Sequence, residues 1–96
     1  MLLEKPNEQG EVLTFKIVSG EEIVARLDSE SETEYVLLKP MMLVIQPDSV
    51  GLGPFMFSMD PQGKFHLMKN ALVCSGKTEA EIAKQYISTT TGVALQ

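Results

Sequence analysis

One cysteine and one histidine are all the chain offers of the side chains most used in nucleophilic and metal chemistry. With Cys74 alone no intramolecular disulfide can form, so the 44% apolar content must hold the fold unaided. His66 and Cys74 stand eight positions apart, which is about 26 Å in extended chain. A thiolate nucleophile needs its imidazole within hydrogen-bond reach, so this spacing speaks against a Cys–His pair. No zinc or calcium-loop spacing occurs either, and the glycines at 51 and 53 are not followed by the Lys-Ser or Lys-Thr of a phosphate-cradling loop. The expectation is a protein that is not an enzyme and carries no metal or cofactor.

Basic residues are also scarce. Eight Lys and Arg face thirteen Asp and Glu, for a net charge of -5 and a pI near 4.7. Non-specific nucleic-acid binding depends on Lys and Arg releasing counterions, so DNA is a poor partner. The acidity is uneven: Glu21, Glu22, Asp28, Glu30, Glu32 and Glu34 crowd one stretch, which reads as a solvated turn and sheet face.

Uninterrupted apolar runs are missing as well. The longest candidate, Met41 to Met59, is broken by Pro47, Asp48, Gly51, Gly53 and Pro54, where a membrane helix would need an unbroken backbone ladder. Residues 1–10 lack the charged start and apolar run of a secretory signal. With a lone cysteine, this gives the expectation of a cytoplasmic protein with no membrane partner. No internal repeat appears, and 96 residues suffice for one domain, spanning 1–96.

What is present is mostly strand pattern. Residues 1–10, with Pro6, Asn7 and Gly10, read as an entry segment. From Val12 apolar and polar residues alternate, predicting a strand over 12–18, a turn at Ser19-Gly20 and a second strand over 22–28. A nearly continuous apolar run predicts a third over 35–45, in which Pro40 cannot donate to a ladder and must force a bend or bulge. Strands over 54–59 and 64–74 flank the turn residues Asp60-Pro61-Gln62-Gly63. Thr78 and Glu81 form a capping-box pattern before Ile82, Ala83, Tyr86 and Ile87, predicting a helix within 78–91, over 79–90, closed by Gly92. The predicted core comprises Leu13, Phe15, Ile17, Ile23, Leu27, Leu37 and Tyr86.

The expected fold is mainly β: a small, strongly bent, five-stranded antiparallel open barrel with one C-terminal helix. The runs LTFKIVSGEEIVARLDSE and EYVLLKPMMLVI resemble the first sequence motif of the Sm-like family, with Ser19-Gly20, Ala25, Leu27, Asp28 and Tyr35 to Leu38 in matching places. The match covers about a third of the chain. Through the segments GLGPFMFSMDPQGK and YISTTTG, the whole chain also looks like small proteins of marine phages and marine environmental sequence, in which an Sm-like barrel ends in a helix. That likeness implies the cytoplasm of a phage-infected bacterial cell.

The resemblance implies single-stranded RNA as a ligand, with Asp28 and Tyr35 in the first motif and Ser75, Gly76 and Lys77 in the nearest equivalent of the second as the contacts. Glu34-Tyr35 stands where RNA-binding members carry an Asn beside a stacking residue. It also implies a homo-oligomer closed by pairing of edge strands. The Met- and Phe-rich stretch supplies more apolar surface than one small barrel hides, which marks Met56, Phe57, Met59, Phe65 and Leu67 as the interface. The rival expectation is a phage structural or assembly protein that binds protein partners only.

Overall fold

Three β-bulges set the curvature of this fold. The computed structural model describes residues 7–91. Its elements are β1 (Val12–Ile17), β2 (Glu22–Glu30), β3 (Glu34–Gln46), β4 (Ser49–Pro54), β5 (Lys64–Met68), a 3-10 turn (Lys69–Ala71), β6 (Leu72–Lys77) and α1 (Ala80–Thr91). All pairings are antiparallel, in the order β4-β3-β2-β1-β6, with β5 also on β3. The result is an unclosed six-stranded sheet with one helix.

β3 organises the sheet because its thirteen residues serve three neighbours. One edge pairs with β2, while the other pairs with β5 from Glu34 to Leu38 and with β4 from Met41 to Gln46. The break falls at Lys39 and Pro40. Register jumps there from Arg26↔Leu38 to Val24↔Met41, so Ala25 opposes two residues, and Lys39 takes a φ of 50°. Pro40 has no N–H to leave unpaired at that point, which is why the bend predicted there takes the form of a bulge. Asp28 is the extra residue of a second bulge against β3, and Val73 of a third against β1.

The concave side of the curled sheet holds the core. Leu13, Phe15 and Ile17 from β1, Ile23, Ala25 and Leu27 from β2, Tyr35 and Leu37 from β3 and Leu67 from β5 form one cluster, backed by Phe55, Phe65 and Leu72. Every predicted core residue is buried. Burying a side chain such as Phe15 is worth roughly 1.5–3 kcal/mol. Val24 and Tyr86 are buried outside this cluster. Strand alternation sends Val24 to the opposite face of β2, and Tyr86 reaches that part of β2 from the helix, its hydroxyl accepting from the Arg26 N–H.

Several boundaries differ from the sequence expectation. There are six strands where five were expected, because the 3-10 turn divides 64–74 into β5 beside β3 and β6 beside β1. The strand expected at 54–59 lies at 49–54 instead. Gly51, Gly53 and Pro54 read as breakers, but an edge strand with one partner tolerates them. Residues 55–63 are a loop, so β4 and β5 both pair with β3 rather than forming a hairpin.

The helix begins one residue later than predicted, and its cap is not Thr78. Glu79 accepts from the N–H groups of Glu81 and Ile82, each at 3.1 Å, while the Thr78 hydroxyl bonds that of Thr14 at 2.8 Å. Gly92 lies outside the described residues, as do residues 1–6 of the expected entry segment. Gly10 is tied to β2: its N–H donates to the Leu27 carbonyl, and its own carbonyl accepts from Arg26.

Candidate functional site

β6 is an edge strand that buries neither face. A strand lying flat on a core hides alternate residues, yet Val73 through Lys77 are all exposed and only Leu72 packs inward. The Val73 bulge is the local cause, since the extra residue turns a valine outward until it is 65% exposed. β6 pairs only with β1, and β4 and β5 only with β3, so each presents an outer edge without a strand partner among the described residues. The strand pair Ile45 and Val50 near the end of the β3–β4 hairpin adds two more exposed apolar side chains.

A second apolar feature lies at the β3 bulge. Lys39, Pro40 and Met41, the end of β4 at Pro54, six loop residues between Met56 and Gly63 and Thr89-Thr90 of α1 surround a groove of about 380 Å³. Phe57 is among its lining residues and is 88% exposed. The loop is shaped by Asp60, which accepts from the Gln62 N–H through its side chain and from the Gly63 N–H through its carbonyl, both at 2.9 Å.

The outer face around β5 carries two ion pairs, Lys64 with Asp28 at 3.2 Å and Lys69 with Glu30 at 2.6 Å, and a hydrogen bond between His66 Nδ1 and Glu34 at 3.1 Å. The Glu30 hydrogen bond holds the Lys69 ammonium above its usual pKa. Lys77 is paired with Glu11 at the far end. Three of the eight basic residues that RNA phosphates would draw on are thus engaged with carboxylates.

The residues expected to contact RNA are not gathered into one site. Tyr35 is a core residue, 8% exposed, with its ring edge-on to Phe15 at 4.9 Å and Lys69 4.8 Å from its centroid. Base stacking would need a ring face that this packing leaves largely covered. Asp28 sits in its bulge on β2, whereas Ser75, Gly76 and Lys77 lie on β6 with β1 between. No hydrogen bond or ion pair joins the two groups among the described residues.

The expected interface residues also divide. Leu67 is in the core, 6% exposed, and the half-buried Phe65 packs against the core with its ring edge-on to Phe55 at 5.7 Å. Met56, Phe57 and Met59 belong to the 55–63 loop rather than to a strand. Sequence reasoning missed Val73 and Lys39. The Pro40 signal pointed to the Lys39 bulge, but nothing in the local pattern distinguished Val73 from an inward-facing valine.

Among the described residues no three His, Cys, Asp or Glu side chains converge as a metal site would require, and no helix is long and apolar enough to cross a membrane. Cys74 is exposed on β6. The sequence matches no known family model, and no curated protein is similar to it.

Proposed function

We propose that this chain is a non-enzymatic, Sm-like oligomerising module that joins copies of itself through the open edges of its curled sheet. The carrying observation is β6, an edge strand exposed on both faces with Val73 bulged outward. Monomeric proteins blunt such edges with charge, proline or a covering element, and on β6 only Lys77 does so. The Sm-like reading is supported by the course of the chain. β5 on β3 passes through one 3-10 turn into β6 on β1, which brings the two ends of the sheet together as an open barrel would.

Light scattering of the eluting chain over a range of concentrations tests the proposal. The expected result is a mass above that of the monomer, reduced by Val73→Lys with the far-ultraviolet spectrum still β-like. A monomer at high micromolar concentration would refute it.

A partner set restricted to protein is favoured by the burial of Tyr35, which removes the aromatic that RNA binding would use. This fits an assembly protein, the rival reading of the sequence. Any RNA binding by this acidic chain is confined to the assembled form, where dispersed cations gather on one rim. Filter binding of U-rich and A-rich oligonucleotides over a salt series separates the two, because tight, salt-insensitive retention by the monomer is incompatible with this electrostatic account.

A further inference from the structure

We propose that the groove at the β3 bulge is a two-fold docking site in which Phe57 of one copy enters the groove of a second. The proposal rests on the assembly reading above and adds to it a contact distinct from the β6 edge. The apolar lining comes from Pro40, Met41, Pro54, Met56, Met59 and Pro61. Thioethers are flexible and make favourable contacts with aromatic rings, and proline contributes a rigid apolar surface, so this lining suits an aromatic side chain. The complementary aromatic also lines the groove: Phe57 is the most exposed large apolar residue among those described, at 88%, and so is free to reach a facing copy.

A patch that carries both a knob and its socket can pair with its own copy about a two-fold axis, and every contact then occurs twice. The charges on the lining obey the same symmetry. Lys39 and Asp60 lie on one groove. Lys39 makes no ion pair among the described residues, and Asp60 uses its side chain only on the neighbouring Gln62 N–H. The proposed pairing sets Lys39 of one copy against Asp60 of the other, a charge match that an uncharged small ligand would not use. The backbone that presents Lys39 is held from behind, because the Tyr86 hydroxyl donates to the Lys39 carbonyl at 2.7 Å.

Sedimentation velocity of the full chain over a concentration series, with four variants, tests this. Phe57→Ser should shift the population to the lighter species with an unchanged melting temperature, since an exposed ring adds little to folding. Lys39→Asp and Asp60→Lys should each weaken association about tenfold, as like charges meet at the interface. The double exchange Lys39→Asp/Asp60→Lys should restore it. If the chain assembles but Phe57→Ser keeps the parental mass, or the double exchange is no tighter than the single ones, the groove contact is wrong while the edge reading stands. Val73→Lys marks that case by lowering the mass alone. A chain that is monomeric throughout overturns both readings. Uptake of a fluorescent apolar probe by the monomer, lost in Phe57→Ser, assigns the groove to a small ligand and overturns the docking of a second copy.

Discussion

The hydroxyl of Tyr86, in the C-terminal helix, lies 2.7 Å from the carbonyl oxygen of Lys39, the one non-glycine residue with positive φ among those described. The Tyr86 hydroxyl is also 3.0 Å from the Leu38 carbonyl and accepts from the Arg26 N–H at 3.1 Å. The β2–β3 bulge interrupts the ladder at this point, and one phenol supplies what the ladder cannot. The helix is therefore fastened to the sheet at its most irregular position.

Removing that oxygen should be costly. Tyr86→Phe keeps the buried ring but leaves the Arg26 N–H and two carbonyls without this partner, and a loss of about 1–3 kcal/mol is expected from urea unfolding. A difference too small to measure would show that water takes over these bonds and that the bulge does not depend on the helix.

The phenol also predicts an alkaline limit. Burial pushes the pKa of Tyr86 from 10.0 up to about 12, with the Arg26 N–H and charge acting weakly the other way. The neutral form is thus favoured in the folded state. This contribution is full below pH 10, the unfolded value, and is lost as pH rises toward about 12. Tyrosinate absorbance followed with unfolding should show one tyrosine ionising late and stability falling within that window. Ionisation near pH 10 in the intact fold would contradict the burial of the ring.

Lys39→Gly should be neutral or stabilising, which is unusual for glycine in a strand. A left-handed backbone costs an L-residue about 1–2 kcal/mol, and the greater freedom of unfolded glycine returns about 0.5–1 kcal/mol of that. The expected gain is up to about 1 kcal/mol in urea unfolding at dilute concentration. A lower urea midpoint would mean that the lysine side chain outweighs the strain.

Glu79 gives the helix an acid-sensitive start. Its carboxylate accepts from the Glu81 and Ile82 N–H groups, which hold its pKa below the usual 4.5. A depressed folded pKa contributes stability that is present above 4.5 and lost as pH falls through the lower folded value. The helical circular dichroism signal should weaken over that range, and Glu79→Gln should remove most of the pH dependence. An identical acid profile in both proteins would show that the cap contributes nothing.

Phe15→Ala empties the centre of the core cluster, where the ring meets Tyr35 edge-on. The expected cost is about 3–5 kcal/mol. An unchanged melting temperature would place the cohesion of the fold elsewhere.

How much of this was legible in the sequence depended on the reach of the signal. Alternation from Leu13 to Leu27 gave β1, β2 and their buried face, because a two-residue period is read within one segment. Pro40 announced the bulge for the same local reason. β4 was misplaced because Gly51, Gly53 and Pro54 suit a turn as well as an edge strand, and only pairing with β3 decides between them. Tyr35 looked like a platform for bases because an aromatic at a strand entry carries no mark of which face its neighbours will cover. Phe15 and Leu67, distant in sequence, bury it. The groove was beyond local reading, since it joins residues 39–41, 54–63 and 89–90.

The pairing of β1 with β6 also governs when the fold can form. Phe15 is registered with Ser75, so nearly the whole chain must be in hand before the first strand gains its second neighbour. Closing such a distant pair costs chain entropy before any contact rewards it, which places this protein among slowly folding β topologies rather than fast helical ones. During synthesis, the outer edge of β1 stays uncovered until β6 emerges. The nascent chain therefore passes through an interval in which the strand that carries Leu13, Phe15 and Ile17 is open to other chains, and high expression should favour aggregates formed before release over aggregates of the finished protein.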